Sequence, residues 1–310
     1  MSTIPPAPAP PPGRRQAASS LELHILETPE EMASVEELTR AVWLGNDLEV
    51  VPAHLLLAVA HNGGLVAGAI VGDRLAGFVF GFPGLEATAD GLQVKHCSHE
   101  LGVHPDYRNR GLGFALKRFQ WQIVRGQGIR RVTWTYNPLL SGNAHLNIAK
   151  LGAVCKTYLR DAYGELRDNL NAGLPSDRFQ VDWWLDSPRV AARMAESPRA
   201  RPDLREYLSR GARLLNPPDP AGIAEPPDEA IADRWGAVLE SDSTTLLVEI
   251  PTDFLSLKAA DPGLALAWRL GTRACFESLF GRGFTVTDFL HEPGPPSRAV
   301  YVVRLDEDAN

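Results

Sequence analysis

The sequence predicts a mixed α/β (α+β) fold, a sheet flanked by helices, and three observations carry the prediction. Short apolar–polar alternations that read as strands are interleaved with 3.6-period stripes that read as helices. Their order over residues 21–186 is β, α, α, β, β, β, α, β, α, β, β. Hydrophobic residues make up 44% of the 310-residue chain and charged residues 22%, which supplies a sizeable core and excludes wholesale disorder. A strand ending at Val103 passes through a glycine-containing loop directly into a helix beginning near Leu112.

The elements follow in order. Residues 1–20 are rich in proline and read as a disordered leader that prefers extended geometry. Leu21, Leu23 and Ile25 alternate with Glu22 and His24, a first strand. Thr28-Pro29-Glu30-Glu31 carries a helix start, with Thr28 as cap and Glu31 three residues on, and the helix runs to about Trp43. Pro52 to Ala60 reads as a second helix. Strands Leu65 to Gly72 and Leu75 to Phe82 flank the two-residue link Asp73-Arg74. Asn62-Gly63 and Asp90-Gly91 are turn signals, and Gln93 to Val103 is extended. Leu112, Leu116, Phe119 and Ile123 form one face of a helix that Gly126 and Gly128 end.

Val132, Trp134 and Tyr136 share one side of a fifth strand, stopped by Pro138. Ser141 to Leu151 reads as a helix, and Ala153 to Tyr158 and Phe179 to Leu185 as closing strands, with Trp183-Trp184 in strand core or interface. Residues 187–243 are rich in Pro, Arg, Ala and Asp and read as linker or irregular surface, in which Arg189, Arg193, Arg199 and Arg201 form a solvated face. Residues 244–310 read as a smaller β-α-β-β unit: strand Thr244 to Ile250, a helix from Asp261-Pro262 with Leu264, Trp268, Gly271, Cys275 and Leu279 on one stripe, and strands Phe284 to Leu290 and Ala299 to Leu305. Such a unit has too few elements to stand alone, and it is expected to pack on the first domain or on a second subunit. The open sheet edges hint at a homodimer.

Charge narrows the function classes. A net charge of −7 argues against a general nucleic-acid binder, which needs a basic surface to displace counterions. The longest apolar run, Leu65 to Val71, is far below the roughly 20 residues of a membrane-spanning helix. Three widely spaced cysteines, Cys97, Cys155 and Cys275, give no disulfide framework and suit a reducing cytoplasm.

The segment that carries chemistry is Leu101-Gly102-Val103-His104-Pro105-Asp106-Tyr107-Arg108-Asn109-Arg110-Gly111-Leu112-Gly113. Backbone N–H groups at the helix start are unpaired, the helix dipole attracts anions, and two glycines permit close backbone approach. With Arg108 and Arg110 adding positive charge, the loop reads as a pyrophosphate cradle. It lacks the Gly-Lys-Ser/Thr of a P-loop, and Leu116 stands where a dinucleotide fingerprint needs its third glycine. The loop fits Arg/Gln-x-x-Gly-x-Gly/Ala, as Arg108-x-x-Gly111-x-Gly113, preceded by Leu-x-Val-x-Pro.

On those residues the sequence resembles the GNAT acyltransferases, whose fold is a central mixed, mostly antiparallel sheet flanked by helices. The resemblance assigns residues 21–186 to an acyltransferase domain. A narrower likeness to a bacterial GNAT subfamily spans about residues 21–305. It rests on His96 to Val103, Trp134 to Leu139, Asn143-Ala144, Leu151-Gly152-Ala153, Tyr158 to Gly164 and Ile250 to Phe254. The resemblance implies acetyl-CoA or another acyl-CoA as co-substrate, with no metal. Backbone amides of Arg108, Asn109, Arg110, Gly111, Leu112 and Gly113 would hold its pyrophosphate. The main chain of Leu101, Gly102 and Val103 would run along the pantetheine arm, and Asn143 would reach that arm from the later helix. The implied reaction is direct attack of an uncharged amine on the thioester, the acceptor being a small-molecule amine or amino acid.

The sequence departs from the family at the acid. The usual tyrosine lies four residues before the glycine that ends the later helix, and here that position is Ile148. Tyr136, Tyr158 and Tyr163 are the nearby alternatives, with Tyr158 taken as the acid. His99 and Glu100 are the candidates for the base. As adjacent strand residues they should point to opposite faces, so only one is expected in the cleft, and His99 ranks ahead. His96, His99, Glu100 and His104 miss the H-E-x-x-H zinc spacing, since Val103 stands where the second histidine belongs. The missing tyrosine keeps open an alternative, a non-catalytic acyl-CoA-binding or regulatory protein.

Overall fold

The computed structural model describes residues 20–43, 50–164, 173–195, 200–219, 224–227 and 244–305. The Pro-rich leader through residue 19, Arg199 and most of 220–243 lie outside them. The described elements begin with β1 (Leu21–Ile25), α1 (Pro29–Val42), α2 (Ala53–His61), β2 (Leu65–Val71), β3 (Arg74–Thr88), β4 (Gly91–Val103) and α3 (Leu112–Gly126). There follow β5 (Arg131–Tyr136), α4 (Ser141–Ala144) with a π-helical turn His145–Lys150, β6 (Val154–Leu159), β7 (Arg178–Trp184), α5 (Pro188–Met194), α6 (Leu204–Ser209) and β8 (Arg213–Leu214). The last part holds β9 (Thr245–Ile250), helices Phe254–Ala260 and Pro262–Gly281, β10 (Phe284–Glu292) and β11 (Arg298–Leu305).

The strands form one sheet in the order β1-β2-β3-β4-β5-β7-β6-β10-β11-β9-β8. All neighbours are antiparallel except β4–β5 and β8–β9. The α+β fold with a mostly antiparallel sheet flanked by helices is as the sequence predicts. The C-terminal strands continue that sheet, because β10 lies beside β6.

Local chemistry explains the elements that matter to the site. Thr28 and Glu31 form a reciprocal capping box at α1: the Glu31 N–H donates to Thr28 Oγ1, and Glu31 Oε2 accepts from the Thr28 N–H at 2.9 Å. The hairpin between β3 and β4 runs further than the alternation suggests. Pro83 and Gly84 read as a strand end, yet pairing continues out to Thr88 opposite Gly91. An antiparallel partner holds the arm extended where the residues alone do not. On α3 the buried residues are Leu112, Leu116, Lys117, Gln120 and Val124, while Phe119 and Ile123 are half-buried. The helix is rotated from the apolar stripe because Lys117 and Gln120 find polar partners on β4.

Among the described residues there are three apolar clusters. One lies under α1 and α2, with Leu26, Met32, Phe78 and Phe80. The largest lies under α3 and helix Pro262–Gly281. Within it the Phe179 ring meets Tyr136, Tyr158, Phe276 and Tyr301 at 4.7–5.8 Å between centroids, tying β5, β6 and β7 to the C-terminal helix and β11. The third joins α6 to Leu247, Leu290, Val300 and Val302. On helix Pro262–Gly281, Leu264 is exposed rather than buried, and Ala265, Trp268, Thr272, Cys275 and Leu279 face inward. Gly271 is glycine because the Pro227 carbonyl would collide with any Cβ there.

Of the arginines expected on a solvated face, the three within the described residues are instead engaged. Arg193 and Arg201 pair with the buried Asp288 of β10 at 3.5 and 2.8 Å, and Arg189 donates to the Gly152 carbonyl. A buried carboxylate needs such partners. Among the described residues, no helix is long and apolar enough to cross a membrane.

Candidate active site

The parallel pair β4–β5 organises the site. Its register holds only two residue pairs, His96 with Val132 and Cys97 with Thr133. Beyond them, among the described residues, β4 and β5 are no longer paired with each other, and each keeps its outer neighbour, β3 and β7. The main chain of Leu101, Gly102 and Val103 therefore runs along an opening in the sheet. Leu101 turns to the α3 side, where a Cβ placed on Gly113 would be 3.7 Å from both Leu101 and Leu146. That contact brings β4, the start of α3 and the π-helical turn together at one point. Asn143 lies one turn before Leu146 and is exposed. Gly102 has a packing reason to be glycine: a Cβ there would stand 2.5 Å from the Phe78 ring.

The loop between β4 and α3 is built by a short 3-10 turn, Pro105–Tyr107, whose Asp106 N–H donates to His104 Nδ1 at 3.2 Å. Asn109 (φ 60°) and Gly111 (φ 82°) both adopt left-handed backbone. Such geometry over two nearby residues curves successive N–H groups into an anion-binding concavity. Gly111 is also the N-cap of α3, with no side-chain cap, so the first N–H groups of the helix stay open to a ligand. A Cβ on Gly111 would meet nothing within 4 Å; the glycine serves the backbone conformation and leaves the space in front of the loop free. Arg108 turns back into the protein, donating to the Val103 carbonyl at 3.3 Å and the Val42 carbonyl at 3.5 Å. Arg110 lies 5.3 Å from the centre of the Tyr107 ring.

The base candidates differ from expectation. Phe80 pairs with Glu100 and Gly81 with Ser98, which leaves His99 as an extra residue in β4. This β-bulge breaks the two-residue alternation. His99 and Glu100 consequently sit together, with His99 Nε2 3.8 Å from Glu100 Oε1. The bulge removes the strict alternation on which the expectation of one residue in the cleft rests. The Glu100 side chain is 17% exposed, and its Oε2 is buried without a hydrogen bond. Desolvation pushes its pKa up to about 7. His99 is 47% exposed, with its ring edge-on to Phe80 at 5.6 Å, and burial against that surface lowers its pKa. Of the two, Glu100 is the more buried, and its pKa is raised where that of His99 is lowered.

The hydroxyls of the candidate tyrosines all have hydrogen-bond partners within the protein. Tyr158 donates to Asp177 Oδ2 at 2.8 Å, and Asp177 is fully buried and held by two 2.8 Å hydrogen bonds from Arg273. Burial carries the Tyr158 pKa well above the ordinary tyrosine value. Tyr136 lies 3.1 Å, hydroxyl to hydroxyl, from Tyr301, which donates to the Pro138 carbonyl. Tyr163 meets Thr135 Oγ1 at 2.6 Å, and Ile148 is fully buried.

Sequence reasoning missed a polar cluster behind β4. Lys117 of α3, 2% exposed, donates to Ser98 Oγ at 2.9 Å and Gln120 Oε1 at 2.8 Å, and Gln120 Nε2 reaches His96 Nε2 at 3.2 Å. Its Nζ stands 3.7 Å from the centre of the Trp134 ring. Burial drives the Lys117 pKa well down. The signal was present: two polar residues three apart on the inner face of a helix opposite Ser98 and His96. Among the described residues no group of three His, Cys, Asp or Glu side chains is placed to hold a metal ion.

Comparison with known proteins follows the same segment. Residues 24–145 match the model of the Acetyltransferase (GNAT) family. No curated protein sequence matches the chain. Among solved structures the chain is similar to an acetyltransferase of the GNAT family from Streptococcus pneumoniae, with 17% identity over 53% of this chain and 98% of that one and a TM-score of 0.41. It is similar to the ribosomal-protein-S18-alanine N-acetyltransferase from Escherichia coli, with 14% identity, 54% and 96% coverage and a TM-score of 0.42. Arabidopsis thaliana NAA60, solved in complex with acetyl-CoA, gives 16% identity, 53% and 99% coverage and a TM-score of 0.43. The matched stretch of the acetyltransferase (GNAT) family model runs from the end of β1 through α4 and so takes in every residue of the β4–α3 junction.

Proposed function

We propose that the chain is an acyl-CoA-dependent N-acyltransferase that moves an acetyl or other short acyl group to a primary amine by direct attack in a ternary complex. The observation that carries this reading is Glu100, a carboxylate with one buried, unbonded oxygen, which pairs with Phe80 and directly follows the His99 bulge of β4. Acyl-CoA supplies the thioester. The open N–H groups of residues 109–113 suit its pyrophosphate, and the free space before Gly111 fits that role. The main chain of Leu101, Gly102 and Val103 offers strand-like pairing to an extended arm, with Asn143 on the neighbouring helix. Glu100 accepts the proton that leaves the acceptor ammonium or the attacking amine. Backbone N–H groups of the unpaired β4 edge serve a developing oxyanion. A thiol leaving group of pKa about 8.5 departs as thiolate without a strong acid, which accommodates a Tyr158 hydroxyl committed to Asp177.

The test is a melting-temperature series with CoA, acetyl-CoA and succinyl-CoA, with ATP and NAD as controls, followed by thiol release with an amine panel. A shift with an acyl-CoA and not with the controls, followed by amine-dependent CoA release, is expected. No shift with any CoA species overturns the reading. The fully buried Ile148 at the position of the family tyrosine favours one alternative, acyl-CoA binding without turnover, which the second step of the same experiment separates.

Gly111→Trp is expected to abolish the CoA-induced shift. Left-handed backbone costs a side-chain-bearing residue about 1–2 kcal/mol, so the variant still folds. Isothermal titration that finds CoA affinity unchanged would remove the loop from the site.

A further inference from the structure

We propose that the acceptor amine is carried on an uncharged apolar body, alkyl or aryl, that lies against α2; this inference rests on the acyl-transfer reading above. Between α2 and the β3–β4 hairpin lies a cavity of about 370 Å³ lined by Val51, Leu55, Val59, Phe80, Phe82 and His99. It adjoins a second cavity of about 290 Å³, which shares Val59 and Phe82 and adds Ala58, Asn62 and Pro83. The two make a groove that starts beside the bulge and leads away from it. At the starting end His99 stands 3.8 Å from Glu100. Glu100 itself lines neither cavity; the proposal sets the amine nitrogen at Glu100 and the rest of the molecule over His99 and into the groove.

The lining selects among amines. Among the described residues, neither cavity is lined by a lysine, arginine, aspartate or glutamate. A second ammonium in the groove would lose its water with no carboxylate to meet it, and the carboxylate of an amino acid would meet no cation. Apolar surface is rewarded instead, since Val51, Leu55, Val59 and the two phenylalanine rings present only hydrocarbon. The His99 ring, edge-on to Phe80 and Phe82 at 5.6 and 6.1 Å, continues that wall up to Glu100. Amines with several cations or with carboxylates, such as polyamines and free amino acids, fit this lining poorly.

The experiment uses the full chain, acetyl-CoA and matched amines. Hexylamine and 1,5-diaminopentane have the same number of heavy atoms and differ at one end, methyl against ammonium. Hexylamine is expected to exceed the diamine in kcat/KM by at least 100-fold. From butylamine to hexylamine kcat/KM should rise about fourfold per methylene, the return for burying one methylene. Phenethylamine should exceed phenylalanine, which adds only a carboxylate, by a similar margin. Leu55→Glu, at a position 47% exposed, places a carboxylate in the groove and should cut the hexylamine-to-diamine ratio at least tenfold. A variant that merely misfolds would lower both rates and leave the ratio alone. If the diamine or phenylalanine is acetylated as well as hexylamine, or the ratio is unmoved in a Leu55→Glu protein that melts at the parent's temperature, this inference is overturned while acyl transfer stands. If acetyl-CoA raises the melting temperature but no amine in the panel releases CoA, both the acceptor inference and the catalytic reading fall.

Discussion

Replacing Glu100 with glutamine is expected to lower kcat/KM by about 10²–10⁴-fold, the range a positioned general base contributes. The isostere keeps the shape of the bulge and removes the proton acceptor. In the parent protein kcat/KM should climb as pH rises through about 7, because that is where the buried Glu100 loses its proton. The variant should lose that limb of the profile. Stability should move the other way. A carboxyl whose folded-state pKa is raised holds its proton more tightly folded than unfolded, so it costs stability as pH climbs from its ordinary value toward 7 and beyond. Glutamine carries no such charge, and Glu100→Gln should be at least as stable as the parent at pH 8. A loss of activity accompanied by a lower melting temperature at pH 8 would point to damaged packing instead of a missing base.

A second large effect is expected far from the cleft. Asp288→Asn should cost about 3–5 kcal/mol of unfolding free energy, the usual consequence of removing one member of a buried ion-pair network. Asp288 is 4% exposed and meets Arg193, Arg201 and the Tyr207 hydroxyl, with Arg189 in its field. Neutralising it leaves three partly buried guanidinium groups facing one another. Urea denaturation of the two proteins at pH 7 measures the difference, and a change below 1 kcal/mol would place these pairs with weak surface ion pairs.

Much of the molecule could be read from its residues, for identifiable reasons. The Thr28–Glu31 capping box and the strand-to-helix passage at 101–113 are encoded within a few neighbouring positions and form where expected, while the hairpin link falls at Gly72-Asp73, one residue before the expected Asp73-Arg74, because Arg74 pairs with Val71. What the sequence hid depends on partners distant along the chain. The bulge at His99 exists because Phe80 and Gly81 dictate the register of β4, and a strand read alone shows only alternation. Glu100 was recognisable as a carboxylate near the cradle. Its burial, and with it its raised pKa, arises only once the chain is folded around it. The same holds for Lys117, whose partner Ser98 is brought to it only by the packing of α3 on β4. The pairing of β6 with β10 joins residues more than 120 positions apart, beyond the reach of any local pattern.

That pairing sets a timetable for synthesis. β6 is complete once Leu159 has been made, but the strand that covers its outer edge ends at Glu292. At the usual 5–20 residues per second the wait is roughly 7–27 s. During that interval the nascent chain carries an unpaired strand edge, the kind that joins edges on other chains. The aromatic face around Phe179 is also open to water until Phe276 and Tyr301 arrive. The early part of the chain should therefore depend on chaperones while it waits, and polysomes making this protein should be more prone to aggregate than the released product.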